Sequence, residues 1–246
     1  MLLITGGLAT TASFIPAQGG TFEFTPLHRQ SGEILGAALI AALAWIAFAQ
    51  PKSRRLAATL CIGAILQGAL GAMSLGTVGG TLHALLAQLL LAGSVGLALQ
   101  ASAGFNREPQ MIQDYGWPSL RSTAVMLPAL VAIQIALGAA FRHRILGLMP
   151  HVIGAMLVAM IILIAGSFVL QQCKEHKTLA GMGRATMVAT FVQVFLGLAV
   201  FTVRSMPQQS MTVILAIATV HSVTGALLLA VCVALGMQIR RNVIPK

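Results

Sequence analysis

Seven stretches of this chain run for about twenty residues each with almost no charge, and short polar or basic links separate them. A bilayer core about 30 Å thick is crossed by roughly 20 apolar residues in an α-helix. Lipid offers the backbone no hydrogen-bond partner, so a single segment can use such a stretch only by satisfying itself as a helix. The runs cover residues 31–49, 56–75, 81–104, 122–141, 150–172, 185–203 and 211–237. An eighth, residues 1–12, is apolar but too short to cross. It is followed by a loop at 13–30 that holds Pro16, Gly19, Gly20, Glu23 and Pro26. The fold class expected is therefore an all-α integral membrane protein.

Composition closes off the alternatives. With 57% hydrophobic and 8% charged residues and a mean hydropathy of +0.90, the chain is not a soluble domain. Its net charge of +10 does not point to nucleic acid, because basic residues gather in the cytoplasmic links of membrane proteins. One set of links and ends carries Lys52, Arg54, Arg55, Arg107, Arg121, Lys174, Lys177, Arg184, Arg240, Arg241 and Lys246, and the other carries Arg29, Arg142, Arg144 and Arg204. The first set should be cytoplasmic, with the C-terminus. A bacterial-type inner membrane is the expected location, and lipid is the first expected partner. Cys61, Cys173 and Cys232 are far apart without CxxC spacing, so neither a disulfide framework nor a zinc site is indicated.

Within the apolar runs the exceptions are histidines. His221 lies about ten residues inside the last run, and His28, His83 and His151 stand at or near the starts of three others. An ionisable side chain in such a place is costly and signals function by default. All four begin from the side opposite the basic set, so all four should face outward. His221 is deeper in its run than His151, and the length of the last helix would have to bring the two level. His143, between two arginines, and His176, in a basic link, are expected to be solvated.

The histidines recur in register. His28 is followed by Gln67-Gly-Ala-Leu-Gly71 and His83, and His151 by Gln193-Val-Phe-Leu-Gly197 and His221. A third copy, Gln134-Ile-Ala-Leu-Gly138, precedes His151. The repeat predicts two pseudo-symmetric four-helix bundles, residues 1–105 and 122–246, joined by a cytoplasmic linker at 106–121. Its first helix would be residues 1–12, unusually short or truncated. The Gln-x-x-Leu-Gly motifs are read as packing features, glycine allowing close approach and glutamine bonding across helices.

Two outward histidines per bundle suit a flat cofactor held between helices, since haem iron takes axial imidazole. Gly32, Gly36, Gly154, Ala155 and Gly225 would leave it room, and Arg29, Arg142 and Arg204 could meet its propionates. Zinc fits less well, because no cysteine or carboxylate completes a tetrahedral set.

His28-Arg29 at a helix start, Gln67-x-x-Leu-Gly71 leading to His83-Ala-Leu-Leu-Ala87, Leu137-Gly-Ala-Ala-Phe-Arg-His143 and the late His221 together resemble the haem A synthase family. The resemblance implies haem b on His151 and His221. It implies that His28 and His83 hold haem o, whose C8 methyl is oxidised to a formyl group to give haem A, with an electron donor from outside the chain. In that family a glutamate stands three residues before the first histidine. Here the position is Thr25, and the nearest carboxylate, Glu23, becomes the candidate catalytic residue. An outer cysteine pair found in many bacterial members is missing. The alternative is a non-enzymatic bis-histidine cytochrome b-like subunit, with haem b in both sites, that carries electrons or braces a larger respiratory-type membrane complex.

Overall fold

The structure, a computed structural model, describes residues 1–12, 24–73, 75–114, 119–206 and 210–245. The helices in chain order are α1 (Leu2–Ala12), α2 (Phe24–Ala49), α3 (Arg54–Ala72), α4 (Gly76–Ala101), the short α5 (Ala103–Asn106), α6 (Leu120–Arg142), α7 (Leu148–Gln172), α8 (Lys177–Ser205) and α9 (Met211–Asn242). Seven of them, α2 to α4 and α6 to α9, are long and apolar enough to cross a membrane. The protein is an all-α integral membrane protein, as the apolar runs require.

Several helices outrun the apolar runs that predict them. Residues 24–30, expected as loop, form the opening turns of α2, and residues 76–80, expected as a turn, open α4. Gly76 makes that start possible, because its φ of +61° is a conformation other residues adopt only with strain. The basic link before residue 185 is helical from Lys177, and α9 continues past residue 237 to Asn242. Apolarity marks only the part of a helix that lies in lipid, so polar turns that extend beyond it leave no trace in the pattern.

Two packed cores position the rest. Leu43, Ala57, Leu60, Leu90 and Leu97 bring α2, α3 and α4 together. A larger one joins α6 to α9 through Leu127, Val131, Ile162, Leu229 and Leu235, with Ala92 of α4 built into it. Helix α9 packs on α8, α6, α4 and α1 and is the most buried span, whereas α2 is the least. Trp45 is 73% and Phe48 83% exposed on α2, an apolar surface suited to lipid. Pro128 lacks an N–H for the carbonyl of Ala124. A Cβ at Gly236 would lie 2.4 Å from that oxygen, so only glycine lets α9 approach α6 there.

At the opposite end from the histidines, two short strands, β1 (Ile112–Gln113) and β2 (Val243–Ile244), pair in parallel. Asp114 follows β1, and its buried carboxylate accepts bonds from the Ser119 hydroxyl (2.6 Å) and the backbone N–H of Leu120 (3.1 Å) and Arg121 (3.3 Å). It thereby caps α6. Arg121 donates to the carbonyl of Val243 at 3.1 Å. The polar segment expected as a plain linker is therefore fastened to the C-terminal tail.

Candidate functional site

Each candidate histidine lies in the N-terminal half of its helix: His28 on α2, His83 on α4, His151 on α7 and His221 on α9. They meet in two pairs. The ring centroids of His28 and His83 are 6.1 Å apart with the planes at 87°, and those of His151 and His221 are 6.3 Å apart at 90°. The depth difference between His151 and His221 is absorbed by α9. At 1.5 Å per residue, its 32 residues reach about 48 Å, well beyond the lipid core.

A repeated device seats the rings. In α3, α6 and α8 the Gln-x-x-Leu-Gly motif faces the next helix, and its glutamine and glycine meet one imidazole. The Gln67 amide lies 3.1 Å from His83 Nε2, and His83 Nδ1 is 3.2 Å from the Gln67 carbonyl. The Gln134 amide donates to His151 Nδ1 and to the His151 carbonyl, both at 2.8 Å. That of Gln193 lies 3.4 Å from His221 Nε2, while its oxygen accepts a 2.5 Å bond from the Thr224 hydroxyl. A Cβ on Gly71, Gly138 or Gly197 would stand 3.0, 2.8 or 3.1 Å from Cε1 of His83, His151 or His221. Each glycine is the flat wall against which a ring rests.

The short α1 supplies the fourth copy in altered form. A Cβ on Gly6 would lie 3.0 Å from Cε1 of His28, and the Thr5 hydroxyl, 3.1 Å from His28 Nδ1, takes the place of the glutamine. Gly7 rests on Thr219 of α9 in the same way, at 3.3 Å for a Cβ. The motifs were legible as close-packing features, but their histidine partners were not. Thr5 and Gly6 carried no signal, because α1 lacks the motif.

The remaining site residues divide. Arg142, the last residue of α6, donates to the hydroxyl of Ser222, next to His221, and its charge acts on both rings of that pair. Arg204 stacks its guanidinium 5.8 Å from the Phe141 centroid, at the same end. Arg29 is 80% exposed and pairs with Glu33 at 3.5 Å. Glu23 lies outside the described residues. Thr25 stands in the first turn of α2.

Two histidines expected to be solvated are not. His176 is 5% exposed and caps α8, its Nδ1 accepting from the Leu179 N–H at 3.3 Å. His143 is half-buried against α4, where a Cβ on Gly80 would lie 2.6 Å from its ring. Burial, together with the charges of Arg142 and His83, holds its pKa below the usual histidine value. Flanking charges suggested solvent in both cases, and neighbours distant in sequence cover His176 and part of His143. Room beside the rings is also distributed unevenly. A Cβ on Gly32 or Gly36 would meet nothing within 4 Å, whereas Gly154 and Gly225 are already occupied by the amides of Gln134 and Gln193.

The pair geometry suits a metal held by two axial imidazoles. With metal–nitrogen bonds of about 2 Å, and each centroid set back behind its donor atom, two such rings stand roughly 6 Å apart. His221 Nδ1 is buried without a hydrogen bond, and Thr5 and Gln134 meet His28 and His151 at Nδ1, on the far side of each ring from the Nε2 that a metal would take. At His83 the Gln67 amide approaches Nε2 and would have to turn aside. Among the described residues no group of three or more His, Cys, Asp or Glu could hold a metal ion, and the histidines meet two by two.

Comparison with known proteins gives one match. A family model described as cytochrome oxidase assembly protein matches residues 21–150, just over half of the chain and inclusive of His28, His83 and Gln134. No curated protein and no solved structure matches.

Proposed function

The chain belongs to the family of cytochrome oxidase assembly proteins, and from that premise we propose that it is a haem-binding membrane oxidoreductase of the haem A synthase type. Its substrate is haem o, and its reaction takes the C8 methyl to a formyl group. The observation that carries this reading is the repeated seating device, one glycine wall and one hydrogen-bonding side chain per imidazole, which yields two histidine pairs at 6.1 and 6.3 Å.

His151 and His221 would hold haem b as a prosthetic group, and His28 and His83 would hold the substrate. Bound haem would supply the redox chemistry, and the redox partner and the oxygen source come from outside the chain. The protein's own residues orient and balance charge. Gln134 and Gln193 fix ring orientation, as hydrogen bonds to metal-binding histidines do. Arg142, at the His151–His221 pair, and Arg204 are placed to meet propionates at the outer face, while Arg29 is available once it leaves Glu33. The open face of α2 at Gly32 and Gly36 gives the macrocycle of the first site its room. Glu23 is the proposed proton-handling group. We read the chain as two four-helix units, residues 1–105 and 122–246, in a bacterial-type inner membrane with the C-terminus cytoplasmic.

Thr25 favours a second reading. Without a carboxylate in the first turn of α2, the same two pairs suit a bis-histidine cytochrome b-like subunit of a larger complex. Expression with a haem o-producing partner, followed by pigment extraction, separates the two. Haem A accumulates if the enzyme reading is right, and haem b alone in both sites would sink it. Absence of a Soret band, or a band unchanged in both His151→Ala and His221→Ala, would overturn haem ligation altogether.

A further inference from the structure

The end of the molecule opposite the histidines holds a cavity of about 720 Å³ where the link from α2 to α3 meets α4, α5 and α9. Its charged lining consists of Lys52, Arg107, Arg240 and Arg241, with no acidic residue. Arg241 is fixed in place: its guanidinium lies 5.0 Å from the Phe105 centroid and donates to the Arg107 carbonyl. Four like charges around one cavity repel each other, and among the described residues no carboxylate lines it. Such a site suits an anion, and the size is that of an organic ligand, larger than a single inorganic ion requires.

A second cavity says which anion. About 280 Å³ in volume, it runs between α6 and α9 along Val125, Pro128, Val233 and Gly236, and it shares Met237 and Arg240 with the basic one. It is a groove, apolar but for that shared arginine, near the C-terminal end of α9. Pro128 and Gly236 shape it from facing helices. A basic cavity joined through one arginine to an apolar groove matches an amphipathic molecule with an acidic head and a hydrocarbon tail.

We propose that this end of the protein is a binding site for an anionic phospholipid, the phosphate headgroup held by Lys52, Arg107, Arg240 and Arg241 and one acyl chain laid in the groove between α6 and α9. Basic pockets between spans on the cytoplasmic side are suited to such headgroups. The lipid would join the α2–α3 link and α4 of the N-terminal half to α9 of the C-terminal half. The site is independent of haem.

The test uses the full chain in phosphatidylcholine nanodiscs with and without cardiolipin, whose headgroup carries two phosphodiesters. Native mass spectrometry counts retained lipid, and hydrogen exchange follows residues 105–109 and 237–242. Wild type is expected to retain cardiolipin and to show protection of both segments. Lys52→Gln/Arg240→Gln is expected to bind roughly thirtyfold more weakly, from the loss of two cations near the membrane surface. Val125→Trp fills the groove without altering charge, and it is expected to release the lipid while inorganic phosphate binds no worse. Cardiolipin retention at the wild-type level in both variants would overturn the proposal. So would cardiolipin retention that the charge variant loses but Val125→Trp keeps at the wild-type level, since that describes an anion site to which the groove contributes nothing. Should the charge variant fail to fold, Val125→Trp decides by itself.

Discussion

At the scale of single residues, the four histidines stood out because an ionisable ring inside an apolar run has no cheap structural reason to be there. Their partners did not stand out, since glutamine and glycine have ordinary packing uses in membrane helices. Gln134 shows the difference: both of its amide bonds go to His151. Gln134→Leu is expected to weaken haem retention by roughly 10–100-fold with helix content unchanged, and to alter the low-spin electron paramagnetic resonance signal, which reports ring orientation. Retention and signal identical to wild type would assign Gln134 to packing alone. Cys173 is a residue of another kind, 1% exposed at the end of α7. Burial first, then the nearby Asp114 charge, pushes its thiol up from 9.0 to about 11. A raised folded-state value means that the stability tied to the neutral thiol is complete below pH 9.0 and is lost as the pH rises through about 11. Alkylation of Cys173 should therefore stay slow near neutral pH and accelerate only in that alkaline window, compared with the half-buried Cys61.

At the scale of helices, existence was legible and extent was not. The apolar runs located all seven spans, but α8 begins eight residues before its run and α9 ends five after its own. Polar turns in the interface are held by caps and by tertiary contacts, which hydropathy does not encode. The helix pairs that carry the site are held in contact by glycine, which lets an imidazole lie flat on the preceding helix. An alanine normally stabilises a helix interior by about 1 kcal/mol over glycine. Gly138→Ala is expected to do the opposite, because its Cβ would stand 2.8 Å from His151 Cε1 and something must shift. Haem loss and a lower melting temperature are the outcomes to measure. Gly181→Ala is the control, since a Cβ there meets nothing within 4 Å. A gain in stability at both positions would mean that Gly138 is no wall for the ring.

At the scale of the whole molecule, the two ends have different tasks: histidine pairs at one, and the fastening of the linker to the tail at the other. Asp114 is the centre of that fastening, with three bonds into the start of α6 and its own N–H bonded to the Ile244 carbonyl at 3.2 Å. Asp114→Ala is expected to cost about 1–3 kcal/mol, the range for leaving buried donors unpaired, and to speed hydrogen exchange at residues 112–113 and 243–244. Unchanged exchange at both strands would show that the pairing does not depend on the carboxylate. The sequence by itself determined that the chain is a membrane helix protein and which four histidines interrupt its apolar runs, because lipid penalises every unsatisfied polar group and so makes each exception conspicuous. Only the tertiary structure decided which ring meets which, that His176 and part of His143 are covered, and that Asp114 joins segments more than a hundred residues apart. Those outcomes depend on contacts between distant parts of the chain, and no local pattern records them.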